Sequence, residues 1–167
     1  MPSKRQILVT IFLTFALYSL AQGEQSSYPL DIPALRLHLP GASPRVFTLR
    51  DLQAMPGVNL RARGPSDDKV SDWYGVPLSQ FLQQLPANLQ HPTELHLRAL
   101  NDYSVVIPAS DIERYQPVIA YSRDGQPMAV EAYGPLFLMY PFNAHAELRV
   151  QKYYNRAIWQ LSDIYIE

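Results

Sequence analysis

Residues 73–85 read Trp73-Tyr74-Gly75-Val76-Pro77-Leu78-Ser79-Gln80-Phe81-Leu82-Gln83-Gln84-Leu85. Pro77 has no backbone N–H, so it is tolerated in an opening helical turn, where that donor lacks a partner in any case. Leu78, Phe81, Leu82 and Leu85 then recur at offsets 0, 3, 4 and 7, on one face of a helix. Such a helix is too short to stand alone in water and must pack by that stripe against a larger apolar surface.

Working outward, strands supply the surface. Upstream, Val58–Ala62 predicts a strand, followed by a polar loop over residues 63–69. Thr48 precedes Asp51 by three residues, with Leu49, Leu52 and Met55 on one face and Pro56-Gly57 as a stop, which predicts a capped helix of two turns. From Leu30 to Leu39, Leu35, Leu37 and Leu39 alternate with Arg36 and His38, the pattern of a half-buried strand. Downstream, Leu95, Leu97 and Ala99 alternate with Glu94, His96 and Arg98, and Tyr103–Ile107 is a second β-branched run. Ser110–Tyr115 predicts a short helix, and Asp124-Gly125 predicts a hairpin between residues 118–121 and 128–131. Leu136–Tyr140 is apolar throughout, as in a strand buried on both faces, and residues 158–166 predict a terminal strand. Strands outnumber helices and no long β-α-β alternation appears, so the fold class is α+β, with mixed β-sheets and short helices.

The first residues form a three-part pattern. Lys4 and Arg5 precede fifteen uncharged, mostly apolar residues from Ile7 to Ala21, with small side chains at Ser19 and Ala21. This predicts a signal peptide over residues 1–21, cleaved after Ala21, and a periplasmic or secreted mature protein. The run is shorter than the about 20 apolar residues a spanning helix needs, so no stable membrane anchor is expected after cleavage. The chain contains no cysteine, which removes thiolate nucleophiles, zinc–thiolate sites and lipidation at an N-terminal cysteine. Cleavage would leave 12 Lys and Arg against 15 Asp and Glu, a net charge of −3. The basic residues are scattered singly, so nucleic acid is not an expected partner.

Motifs for hydrolytic or metal chemistry are absent. No G-x-S-x-G or H-E-x-x-H occurs, and His38, His91, His96 and His145 share no ligand spacing. Asp67, Asp68 and Asp72 could pair as acid and base, but acids beside Lys69 also describe a solvated turn. Tyr133, Tyr140, Tyr153, Tyr154 and Trp159 are candidates to line a pocket, against the commoner use of such rings in core packing.

Four motifs occur in order: Trp73-Tyr74-Gly75-Val76-Pro77-Leu78; residues 99–108, Ala-Leu-Asn-Asp-Tyr-Ser-Val-Val-Ile-Pro; residues 118–125, Val-Ile-Ala-Tyr with Asp124-Gly125; and residues 134–141, Gly-Pro-Leu-Phe-Leu-Met-Tyr-Pro. Together they resemble the molybdopterin-binding domain of sulfite-oxidase-type oxidoreductases. With the N-terminal pattern, the resemblance, which covers about residues 45–166, predicts a signal peptide (1–21), a leader and first strand (22–44) and a molybdopterin-binding-like domain (45–167). In catalytic members it implies a pterin cofactor whose molybdenum is held by one cysteine thiolate, upstream of the Gly-Val-Pro-Leu motif. Here that place reads Leu60-Arg61-Ala62-Arg63-Gly64-Pro65.

Without the soft ligand, the expectation is a short exported member with no catalytic residue, no metal ligand and no cofactor. It would serve as a binding or interaction module, using the former cofactor cleft for a small planar or anionic ligand or an exported protein partner. The alternative is a molybdopterin-dependent oxidoreductase with an oxygen ligand from Ser66, Asp67 or Asp68, or with no protein ligand to molybdenum. The resemblance places Arg61, Arg63, Trp73, Asn101, Asp102, Tyr103, Gly134, Pro135, Tyr140 and Arg156 at this ligand-binding cleft.

Overall fold

The computed structural model describes residues 28–66 and 69–166. The expected signal peptide, and Asp67 and Asp68, lie outside the described residues. The first sheet runs β2 (Arg45–Thr48), β1 (Pro33–His38), β10 (Leu161–Ile166), β5 (Glu94–Ala99), β6 (Ser104–Pro108). The second runs β3 (Val58–Arg63), β4 (Val70–Pro77), β7 (Val118–Arg123), β8 (Gln126–Pro127), with β9 (Phe137–Met139) also on β7. β1 and β10 are parallel; every other pairing is antiparallel.

The alternating pattern acts as expected. Leu35, Leu37, Leu95, Leu97, Ala99 and Ile164 turn into the core, while Arg36, His38, His96 and Arg98 project from the other face of the first sheet. β9 is buried along its whole length, as its unbroken apolar run requires. The two sheets are stitched together where Leu138 N–H donates to the Ile158 carbonyl and Leu161 N–H to the Leu136 carbonyl, both at 2.9 Å. Residues 158–161 thus carry the chain from the edge of β9 into β10.

Among the described residues, four short α-helices cover this frame. In α1 (Leu49–Gln53), Thr48 Oγ1 accepts the Asp51 N–H at 3.2 Å and Asp51 Oδ2 accepts the Thr48 N–H at 2.8 Å, the reciprocal cap expected from the spacing. In α2 (Leu78–Leu82), Leu78, Phe81 and Leu82 are buried, together with Leu85 just beyond it. α3 spans Ala109–Tyr115 and α4 spans Gln151–Arg156.

The structure differs from the sequence reading at the second hairpin arm. Pairing with β7 ends at Pro127, and residues 130–132 form a 3-10 turn instead of a strand. The reason is competition: Phe137, Leu138 and Met139 occupy the edge of β7 at Ala120, Ile119 and Val118, where that arm would have paired. Three further elements, β2, β4 and α4, were not expected from the sequence; no side chain of α4 is fully buried.

Candidate functional site

A cavity of about 650 Å³ opens where the β3–β4 connection, β4, β7, β9, the 130–132 turn, α4 and the 157–159 link converge. Its wall is aromatic. The Trp73 indole N–H donates to the Ala62 carbonyl at 3.0 Å, fixing a ring that is 1 % exposed. Trp73 meets Phe137 edge-on at 5.3 Å, Phe137 stacks with Tyr133 at 5.7 Å, and Tyr133 lies 5.4 Å from Trp159. Trp159 is 41 % exposed. Both tryptophans of the chain therefore line this one cavity. Arg123 lies over the Trp73 ring at 4.8 Å and is steered there by a 2.9 Å bond from Nε to Ser71 Oγ. Ser66, Glu131, Gln151, Tyr154 and Asn155 supply the other polar groups. Rigid rings with a few fixed polar contacts suit a small planar ligand.

A smaller cleft of about 170 Å³ adjoins the cavity, with Gly64 and Tyr154 lining both. Arg63, Phe142, Asn143 and Arg149 complete it. Arg149 donates from Nε to the Phe142 carbonyl at 2.8 Å and from Nη2 to the Asn143 carbonyl at 3.1 Å, so its guanidinium is pre-oriented. Asn143 Oδ1 accepts the Arg63 backbone N–H at 2.8 Å, which ties the end of β3 to the same corner.

The residues expected at the cleft occupy several distinct places. Trp73 lines the cavity and Arg63 the adjoining cleft. Arg61 projects from β3 and pairs with the exposed Asp72 at 3.3 Å. Asn101 Oδ1 accepts the Tyr103 N–H at 3.2 Å, and Asp102 adopts a left-handed φ of 64°, so residues 101–103 form a tight turn. The Tyr103 hydroxyl donates to the Asn155 carbonyl at 3.0 Å, which places it one residue away from the cavity wall. Gly134 and Pro135 are buried behind Tyr133, and a Cβ on Gly134 would fall 2.0 Å from the Met128 carbonyl oxygen.

Tyr140 and Arg156 form a separate buried cluster around Asp111: the Tyr140 hydroxyl donates to Asp111 Oδ2 at 2.9 Å and Arg156 Nη1 to the same oxygen at 2.6 Å. Burial, reinforced by the Asp111 charge, pushes the Tyr140 phenol well above its usual range, so it stays a neutral donor.

Of the aromatics singled out from sequence, Tyr133, Tyr154 and Trp159 do line the cavity, whereas Tyr140 belongs to the core and Tyr153 packs against it. Sequence reasoning missed Arg123, Glu131, Phe137, Arg149, Gln151 and Asn155. Phe137 lies inside the 134–141 motif, where only its flanking residues were placed at the cleft; each of the others is a single residue with no motif of its own, and only the meeting of distant segments gathers them.

Among the described residues, which do not include Asp67 and Asp68, the molybdopterin implied by the resemblance meets poor donor chemistry. After β3 the cavity and cleft are lined by Arg63, Gly64, Pro65 and Ser66. A guanidinium is a fixed cation with no lone pair to give a metal. No group of three His, Cys, Asp or Glu side chains gathers among the described residues. The Ser66 hydroxyl is a hard, neutral oxygen in place of a soft thiolate.

The fold is α+β, two sheets covered by short helices, and is sulfite-oxidase-like. Among solved structures the chain is similar to the sulfane dehydrogenase SoxCD from Paracoccus pantotrophus, with a TM-score of 0.57 and 16 % identity over 82 % of this chain and 38 % of that one. At this identity the likeness is one of fold, and the chain spans well under half of the matched chain. No protein-family model and no curated protein matches the sequence.

Proposed function

We propose that the chain is an exported, non-catalytic binding module on a sulfite-oxidase-like fold, which uses the cleft of that fold to hold a small planar ligand. The observation that carries the reading is the 650 Å³ cavity walled by Trp73, Tyr133, Phe137 and Trp159, with an arginine pair beside it and no soft ligand after β3. Pre-packed rings bind a planar molecule without first having to order themselves, which keeps the entropic cost of binding low. An exported protein partner could in turn read the filled or empty state at the exposed Trp159.

Ser66 in the cavity wall favours one second reading, an oxidoreductase holding molybdopterin through an oxygen ligand. Metal analysis of protein isolated from cells with intact cofactor synthesis separates the two. The binding reading expects far less than one molybdenum per chain; one per chain would establish the oxidoreductase. A thermal-shift screen of planar metabolites on wild type and Trp159→Ala then tests the cavity, and stabilisation that the variant retains in full would remove the ligand from it.

A further inference from the structure

We infer that the ligand is an aromatic acid, its ring in the cavity lined by Trp73 and Trp159 and its oxyanion in the Arg63–Arg149 cleft. The inference rests on the binding reading above and adds the chemical class. Among the described residues the cleft holds two guanidiniums and no acid: its other lining residues are Gly64, Phe142, Asn143 and Tyr154. Like charges gathered in a cleft focus a positive potential and call for an anion.

The two arginines are also differently prepared. Arg149 is held by two backbone carbonyls through Nε and Nη2, and its Nη1 has no acceptor among the described residues. The Arg63 guanidinium has no hydrogen bond or ion pair with any described residue, although its own backbone is anchored by Asn143. One guanidinium held by backbone carbonyls and one without a partner among the described residues can bind an oxyanion from two sides, the geometry arginine serves best. Because Gly64 and Tyr154 line both spaces, an acid group attached directly to a ring can reach the cleft while the ring stays among the aromatics. A carboxylate and a phosphate monoester share this chemistry.

The test is calorimetric titration of the full chain with 2-naphthoate, 2-naphthyl phosphate and neutral 2-naphthamide, on wild type, Arg63→Gln, Arg149→Gln and Trp159→Ala. At least one acid should bind wild type about tenfold or more tightly than the amide. Arg63→Gln should abolish that preference and leave amide affinity unchanged, while Trp159→Ala weakens all three. The acid preferred identifies the carboxylate or the phosphate as the natural group. Equal affinities in wild type, or a preference that survives Arg63→Gln, overturn the inference and leave the cavity reading standing. Absence of binding by every probe, or binding indifferent to Trp159→Ala, overturns the cavity reading and the inference with it. Arg149→Gln loses two bonds to backbone and can unfold; Arg63→Gln loses none, so the outcome does not depend on the former.

Discussion

Arg156 Nη1 lies 2.6 Å from Asp111 Oδ2, with only 16 % of the arginine side chain and 5 % of the aspartate exposed. Asp111 is carried by α3 and Arg156 by the last turn of α4, so this ion pair clamps two helices that share no sequence proximity. Removing one member of a buried pair strands the other charge. Arg156→Met is therefore expected to cost about 3–5 kcal/mol. Tyr140→Phe, which removes one hydrogen bond and leaves the ion pair, should cost about 1–3 kcal/mol. Urea unfolding of both variants checks the order; a Tyr140 variant weaker than the Arg156 variant would refute it.

Asp163 gives a pH dependence of known sign. Burial would raise its carboxyl, but hydrogen bonds from Ser162 and His38 and the charges of Arg98 and Arg36 hold it below the usual 3.8. His38 Nε2 sits 2.7 Å from Asp163 Oδ1, its ring stacked on Tyr165 at 4.1 Å. A depressed folded-state value means that the stabilisation is fully present above the unfolded value and is lost as pH falls through the folded one. Wild type should exceed Asp163→Asn in stability at neutral pH, and the gap should narrow only below pH 3.8. Denaturant titrations at a series of pH values measure this, and a gap that widened on acidification would contradict it.

Gly75 pairs with Ala120 of β7, beside a register shift in the β4–β7 ladder. A Cβ there would fall 2.0 Å from the Ile119 carbonyl oxygen and 2.5 Å from Ala120 Cα, both backbone atoms that cannot step aside. Gly75→Ala should destabilise by about 1–3 kcal/mol or more, the range of an overpacked interior. A melting temperature within a degree of wild type would show that the two strands can part without cost.

Asn101 and Arg63 should separate in a paired experiment. Asn101 closes the 101–103 turn through its bond to the Tyr103 N–H. Its replacement by Ala is expected to lower stability by about 0.5–1.5 kcal/mol with little effect on aromatic-acid affinity. Arg63→Ala should shift stability by no more than about 0.5 kcal/mol and weaken that affinity. Melting curves with and without 2-naphthoate read both quantities, and the reverse assignment would move the anion contact to the turn.

The sequence by itself determined the local elements whose cause is local. The Leu35/Leu37 and Leu95/Leu97 alternations fix which face of each strand is apolar, the Thr48/Asp51 spacing fixes a helix start, and the Leu78–Leu85 stripe fixes the face by which α2 packs. Such features depend on bond geometry and on residues within a few positions, so one chain reveals them. It also excluded thiolate chemistry by composition alone. The tertiary structure alone decided the rest: that β9 displaces the second hairpin arm from β7, that residues 158–161 join the two sheets, and that Tyr140 and Arg156 serve Asp111. It also brought Trp73, Tyr133 and Trp159 into the wall of one cavity, and Arg63 and Arg149 into one cleft. These relations are contests between segments far apart in the chain, settled by which pairing buries more apolar surface and leaves fewer backbone groups unbonded. No window of sequence contains both contestants.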